Sequence, residues 1–368
     1  MQSQTKPRFD PHSPQIQAYL KDVDYGTFTR EGMMVAFPTC LPGMTVPIVP
    51  DESHITALDV TEDGMVYGGT SGRQTHLFVA SFHGKNGIVL DLGMPAGATK
   101  CAAVCCGPSR FVAFVNGARG GRAVSGPLME LAGEDFIQEW GFDQPVLTDH
   151  GECVPGEPVV DAVVDASRKT IVAITPHQLF TTNPDSPRIR VVGEVPGAGR
   201  IAVASRGGIF GRDDGGSLWH YDPAAQSIHR RAVRLPDSFG DQPPVWAAER
   251  RSGRLYTADA EGRLFSFDEG QGFSGPLGRA PLAPVGPMAV TLDGRVFGFC
   301  GDEIAKMFCY DPRTREVSNL GVAVSVIERR RYGYVFGDAV TGRDGEIVFG
   351  EDDDGGHLWL YFPRIRAV

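Results

Sequence analysis

Three guanidinium groups and two phenols fall within the stretch 329–334: Arg329, Arg330, Arg331, Tyr332 and Tyr334. Arginine forks pair bidentately with carboxylates, and a tyrosine hydroxyl can give or take a proton, so this stretch suits the capture of an acidic ligand with proton transfer beside it. Two histidines, His54 and His76, stand 22 residues apart, each beside a β-type segment. A neutral imidazole titrates near working pH and can act as a general base. A carboxylate run, Glu351 to Asp354, leads to His357. Such oxygen ligands could hold a divalent cation, although the run lacks the alternation of an EF-hand loop and Asp-Asp-Gly-Gly is a good turn in its own right. The candidate catalytic residues are therefore His54, His76, Arg331 and Tyr332. Arg73, Arg329, Tyr334, Trp246 and His357 are candidates for substrate binding, and Glu351, Asp352 and Asp353 for a cation. The plainer reading of each is a solvated arginine turn, packed rings and a hydrogen-bonded strand histidine.

These residues need a scaffold, and a repeat supplies it. A Gly-containing strand, a loop and an aromatic-aliphatic strand recur at 66–82, 171–184, 208–223, 254–270, 295–312 and 346–363. Each is preceded by a short strand such as ITALDVTEDG, VDAVVDASRK or GDAVTGRDG, and most are followed by a fourth. With Leu77, Leu179, Leu218, Leu264, Met307 and Leu358 as equivalent positions, the later steps are 39, 46, 43 and 51 residues, whereas the first is 102. The long gap has room for one more copy, and CAAVCCGPSRFVAFVNGARGGRAVSGPLMEL at 101–131 supplies its strands. Seven four-stranded units of this period predict an all-β fold, a seven-bladed β-propeller with antiparallel blades. A β-sandwich plus a second domain is the rival, and the continuity of the repeat from 55 to 363 opposes it. Too few residues follow the last repeat for its outer strand, so GMMVAFPTC at 32–40 is expected to close the ring and leave no free edge. Residues 1–31 then form an N-terminal extension, with a short helix expected over 14–23, and 32–368 one domain. A second helix over 127–140 is interrupted by Gly133.

Composition narrows the partners. A net charge of -10 opposes nucleic acid and anionic membrane surfaces, which need basic patches. Gly 47 and Pro 27 are spread along the whole chain as turn punctuation. The seven cysteines lack paired spacing, which points to free thiols. With no apolar segment after the basic residues of the N-terminus, the expected compartment is the cytoplasm. Motifs of serine hydrolases, P-loop proteins and zincins are missing.

At GGTSGRQTHLFVASF, FCGDEIAKMFCYDPRTREVSNLG and FGEDDDGGHLWLYFP the chain resembles the seven-bladed propeller lyases of uronic-acid polymers: the ulvan, oligogalacturonate and rhamnose-glucuronate lyases. The resemblance implies β-elimination on an acidic oligosaccharide, in which a basic group neutralises the uronate carboxylate and a His or Tyr takes the C5 proton. By role, His54 and His76 would match the family's blade-one histidines, with Arg331 and Tyr332 as carboxylate and proton partners. The alternatives are a non-catalytic scaffold or sensor that binds a protein or small ligand through its loop face, and a lactonase-like metal-dependent hydrolase.

Overall fold

The computed structural model describes residues 14, 31–38, 49–83, 86–129, 145–165, 167–326, 331–364 and 366. Seven antiparallel sheets form the seven blades, each a meander whose first strand lies innermost. Blade 1 runs His54–Val60, Val66–Ser71, Leu77–His83 and Asn86–Gly93. Blade 2 is the copy inferred from the long gap, with strands Ala98–Cys106, Arg110–Gly117, Gly120–Pro127 and Thr148–Glu152. The inner strands of blades 3 to 7 are Asp161–Val164, Ala202–Val203, Ala247–Ala248, Val285–Val290 and Phe336–Thr341. The two expected helices fall, apart from Pro14 and residues 127–129, outside the described residues.

Packing explains why the middle strands do not alternate between polar and apolar. Each blade face is covered by a neighbour, so a strand such as Ile171–Ile174 or Val296–Cys300 is buried at every position. The six equivalent positions Leu77, Leu179, Leu218, Leu264, Met307 and Leu358 are at most 3% exposed, which identifies the repeat's anchor as a core residue. Outermost strands obey another rule: Ser186–Glu194 is largely exposed and carries polar residues.

Ring closure follows the expected route. Gly32–Pro38 adds antiparallel to His357–Pro363, from Gly32 opposite Pro363 to Pro38 opposite His357, and becomes the outer strand of blade 7. Met34 and Ala36 point inward, at 0% and 5% exposure. A latch of charges sits beside the seam: Arg295 and Arg366 both reach Glu31, and Arg366 also meets Asp311. Residues 32–38 and 357–363 thereby share one blade, next to blade 1.

Candidate functional site

All inner strands begin on one face of the ring, here the top face. The loops that enter them and the loops joining second to third strands open there. Just before the third strand, five blades place a polar side chain that caps the turn. Thr70 accepts from His76 N–H, Thr175 from Gln178, Asp213 from Ser217, Asp259 from Arg263 and Glu351 from His357. An acceptor here satisfies an otherwise unpaired backbone donor, which explains the recurring Thr or Asp. Blade 7 departs by using glutamate. Its Oε2 does the capping, 3.0 Å from His357 N, while Oε1 is buried without a hydrogen-bond partner among the described residues.

Around Glu351 the top face brings together residues nearly the whole chain apart. His54, the first residue of blade 1, holds Asp352 Oδ1 at 3.1 Å through Nδ1 and Asp354 Oδ1 at 3.3 Å through Nε2. Arg331 Nη2 lies 3.3 Å from Glu351 Oε2, and Arg331 Nε is buried without a partner among the described residues. His357 Nδ1 comes within 3.1 Å of the same glutamate oxygen. Tyr332 and Tyr334 stack with ring centres 6.5 Å apart on the blade 6 side. Glycine makes the crowding possible: a Cβ on Gly355 would stand 2.2 Å from Arg331 Nη2 and 2.8 Å from both Asp353 Oδ1 and Glu351 Oε2. Gly356 adopts φ +55°, and a Cβ there would meet Ser53 Cβ at 2.4 Å. Burial, reinforced by the charge of Glu351, pushes the Asp353 carboxyl up to about 6 against the pull of Gly355 N–H and Arg331.

His76 lies apart from this cluster. It is 1% exposed, with Nδ1 2.9 Å from Asp91 and Nε2 3.0 Å from Glu52. Burial pulls its pKa down, but the two carboxylates outweigh that and raise it, which favours the protonated ring with both nitrogens engaged. Arg73 joins the same arrangement, reaching Asp51 at 3.1 Å and Glu52 at 2.5 Å. Together they fix the 50–52 turn that delivers His54. Trp246 is placed elsewhere: its indole N–H donates to Arg200 O at 3.3 Å, and its ring packs on Phe267 between blades 4 and 5. Arg329 lies outside the described residues. Among the described residues, no three His, Cys, Asp or Glu side chains stand close enough together to hold a metal ion.

A second polar group, at the ring axis, escaped the sequence reading. Asp161 and Asp338 occupy the same register in blades 3 and 7, opposite Ile174 and Gly350, whose partners in turn are the equivalent Leu179 and Leu358. Each carboxylate accepts a backbone N–H from the next blade's inner region, Ile201 and Leu58 respectively, at 2.8 Å. Arg200 then reaches from blade 4 across the channel, 3.5 Å from Asp161 and 4.0 Å from Asp338. Burial outweighs the arginine and pushes Asp161 up to about 6. The available signal was the repeated Asp-Ala-Val of VDAVV and GDAVT.

No family model matches the chain, and neither does any curated protein. Among solved structures it is similar to virginiamycin B lyase from Staphylococcus aureus, with a TM-score of 0.63 at 9% identity over 91% of this chain and 100% of that one. A catalytically inactive histidine-to-alanine variant of that lyase, with quinupristin, gives 0.61 at 10% identity over 91% and 100%. At such identities the likeness is one of fold. It extends to the propeller and does not show membership of the uronate-polymer lyases.

Proposed function

We propose that this protein is a lyase, working by β-elimination on a small acidic sugar derivative at the top face between blades 7 and 1. The observation that carries the reading is the pairing of His54, oriented through Nδ1 by Asp352, with Asp353, a carboxyl held protonated up to about pH 6. A base and an acid set apart by their surroundings are what an elimination needs. His54 Nε2, released from the exposed Asp354, takes the proton next to the substrate carboxylate; the electron pair forms the C=C bond, the β C–O bond breaks, and Asp353 returns a proton to the leaving oxygen. Arg331 offsets the carboxylate charge that makes the C–H weakly acidic, and Tyr332 and Tyr334 offer a face to the sugar ring. In this role His76 and Arg73 are positioning residues that hold the turn before His54.

Support from the neighbours is of kind only: they are lyases by name, and one is inactivated by loss of a histidine. Electrostatics favour a single acidic group over a polyanion, because among the described residues one arginine, Arg331, meets the run of four carboxylates at 351–354. Should a divalent cation bind with the substrate, Asp352 would help hold it and it would ease that imbalance, so the assay is run with calcium and with chelator. The test incubates the protein with uronic-acid mono- and oligosaccharides and follows ultraviolet absorbance of the unsaturated product. His54→Ala should lower turnover by about a hundredfold or more, and Arg331→Gln comparably. No product from any substrate, with or without calcium, overturns the lyase reading and leaves the scaffold.

A further inference from the structure

On the bottom face, away from the His54 cluster, an open-sided pocket of about 310 Å³ between blades 5 and 6 is lined by Arg254, Tyr256, Ser266, Leu277, Tyr310 and Arg315. Arg254 stands just before the second strand of blade 5, Leu255–Ala258. Arg315 sits in the turn between Lys306–Asp311 and Glu316–Val324 of blade 6. Both elements place their arginine on the face opposite the inner-strand starts.

Among the described residues neither guanidinium has a carboxylate within ion-pair distance, which is unusual in a chain of net charge -10. The nearby acids are otherwise engaged. Asp268 accepts from Gly270 N, Gln271 N and Ser205 Oγ, and its carboxyl is held low first by Gly270, with Arg254 the least of the causes. Glu249 accepts from the Ser252 hydroxyl. The walls between the arginines are rigid and mixed in character. Tyr256 and Tyr310 are 6% and 3% exposed, with ring centres 6.3 Å apart, and the Tyr256 hydroxyl accepts a hydrogen bond from Arg254. Leu277 is an apolar floor packed onto the blade 5–6 core. Burial pushes the Tyr310 hydroxyl up against the pull of both Arg315 and Arg254, so it stays a neutral hydrogen-bond donor.

We propose that this cavity is a second ligand site, taking a compact organic oxyanion whose charge, a carboxylate or a phosphate, is gripped by Arg254 and Arg315 and whose single-ring body rests on Leu277. The volume fits that size, about ten water molecules in bulk. Two forks converging on one oxyanion are the favoured geometry for such groups. The site is independent of the top-face chemistry and stands or falls separately from it.

Isothermal titration calorimetry with benzoate, phenyl phosphate and benzyl alcohol tests the proposal. The two anions should bind with a stoichiometry of one, and the neutral alcohol at least about tenfold more weakly, the scale of one charge-assisted hydrogen bond. The preferred anion tells carboxylate from phosphate. Arg254→Gln and Arg315→Gln, both at exposed backbone positions, should each weaken anion binding by about tenfold with melting unchanged. His54→Ala should leave it untouched. Equal binding of benzoate and benzyl alcohol, no binding of either anion at millimolar concentration, or affinities indifferent to both arginine substitutions would overturn it.

Discussion

Replacing Met34 with alanine measures how much the borrowed strand holds the ring shut. Met34 is 0% exposed and belongs to a cluster with Phe297, Phe299, Met307, Trp359 and Tyr361, while its carbonyl accepts Val326 N–H at 3.0 Å. Truncating a buried methionine costs about 2–5 kcal/mol, the sum of lost transfer energy and the cavity left behind. The upper part of that range is expected, because rings of two blades wall the site and cannot collapse into it without shifting their own sheets. Met33, the preceding residue, points the other way at 52% exposure. Met33→Ala keeps the same backbone pairing with Phe362 and should change stability by no more than about 0.5 kcal/mol. Urea unfolding followed by tryptophan fluorescence, with the two variants run beside the parent, gives the difference directly from the midpoints. Deletion of residues 1–45 is the extreme case: it bares the edge of His357–Pro363 and should cost solubility as well as stability. Equal losses for Met33→Ala and Met34→Ala, or a truncated chain that melts with the full one, would refute the closure argument.

Three further outcomes follow from the geometry. Asp353, raised from 3.8 to about 6, holds its proton in the folded state, so its contribution to stability is complete below 3.8 and lost as pH rises through 6. Asp353→Asn should therefore gain stability relative to the parent between pH 4 and pH 7, and turnover on an elimination substrate should fall as pH rises through about 6; a flat difference in denaturation midpoints across that window would remove the acid from the mechanism. Arg200→Met should destabilise by leaving Asp161 and Asp338 without their shared cation, and Asp161→Asn should recover part of the loss in a double-mutant cycle. All six described cysteines are buried free thiols, so the melting temperature should be indifferent to dithiothreitol; a drop of several degrees on reduction would reveal a missed bridge.

The fold was legible because each blade repeats the same physical demand. Leu77, Leu179 and Leu358 mark the point where a third strand enters a core covered on both sides, and that demand leaves a period in the sequence even where identity has gone. The irregular blade 2 was found from the long gap in spacing and the strand-like run that fills it, and the closing strand from a missing partner. The site was legible only in part. Residue type flags His54 and His76 equally, yet one meets the top-face carboxylates while the other is clamped between Glu52 and Asp91, because Asp91 lies on an outer strand whose register no local pattern reveals. Trp246 stands at a loop into an inner strand, as expected of a site wall, but its ring turns toward Phe267. The Asp161–Arg200–Asp338 group depends on contacts across the ring, from blade 4 to blade 7, which sequence spacing does not encode.

Placing His54 against residues 351–357 has a consequence for the protein's synthesis. The two halves of the top-face site are separated by 298 residues, as counted between His54 and Asp352. The growing chain releases His54 early, yet its partners leave the ribosome only with the last blade, and the seam then forms by pulling residues 32–38 onto a strand made at the other end. Closing so long a loop is slow compared with hairpin formation within each blade. A nascent chain, or one cut short anywhere before blade 7, therefore lacks the assembled candidate site, and the proposed activity, where assayed, would report that the whole circle has been completed.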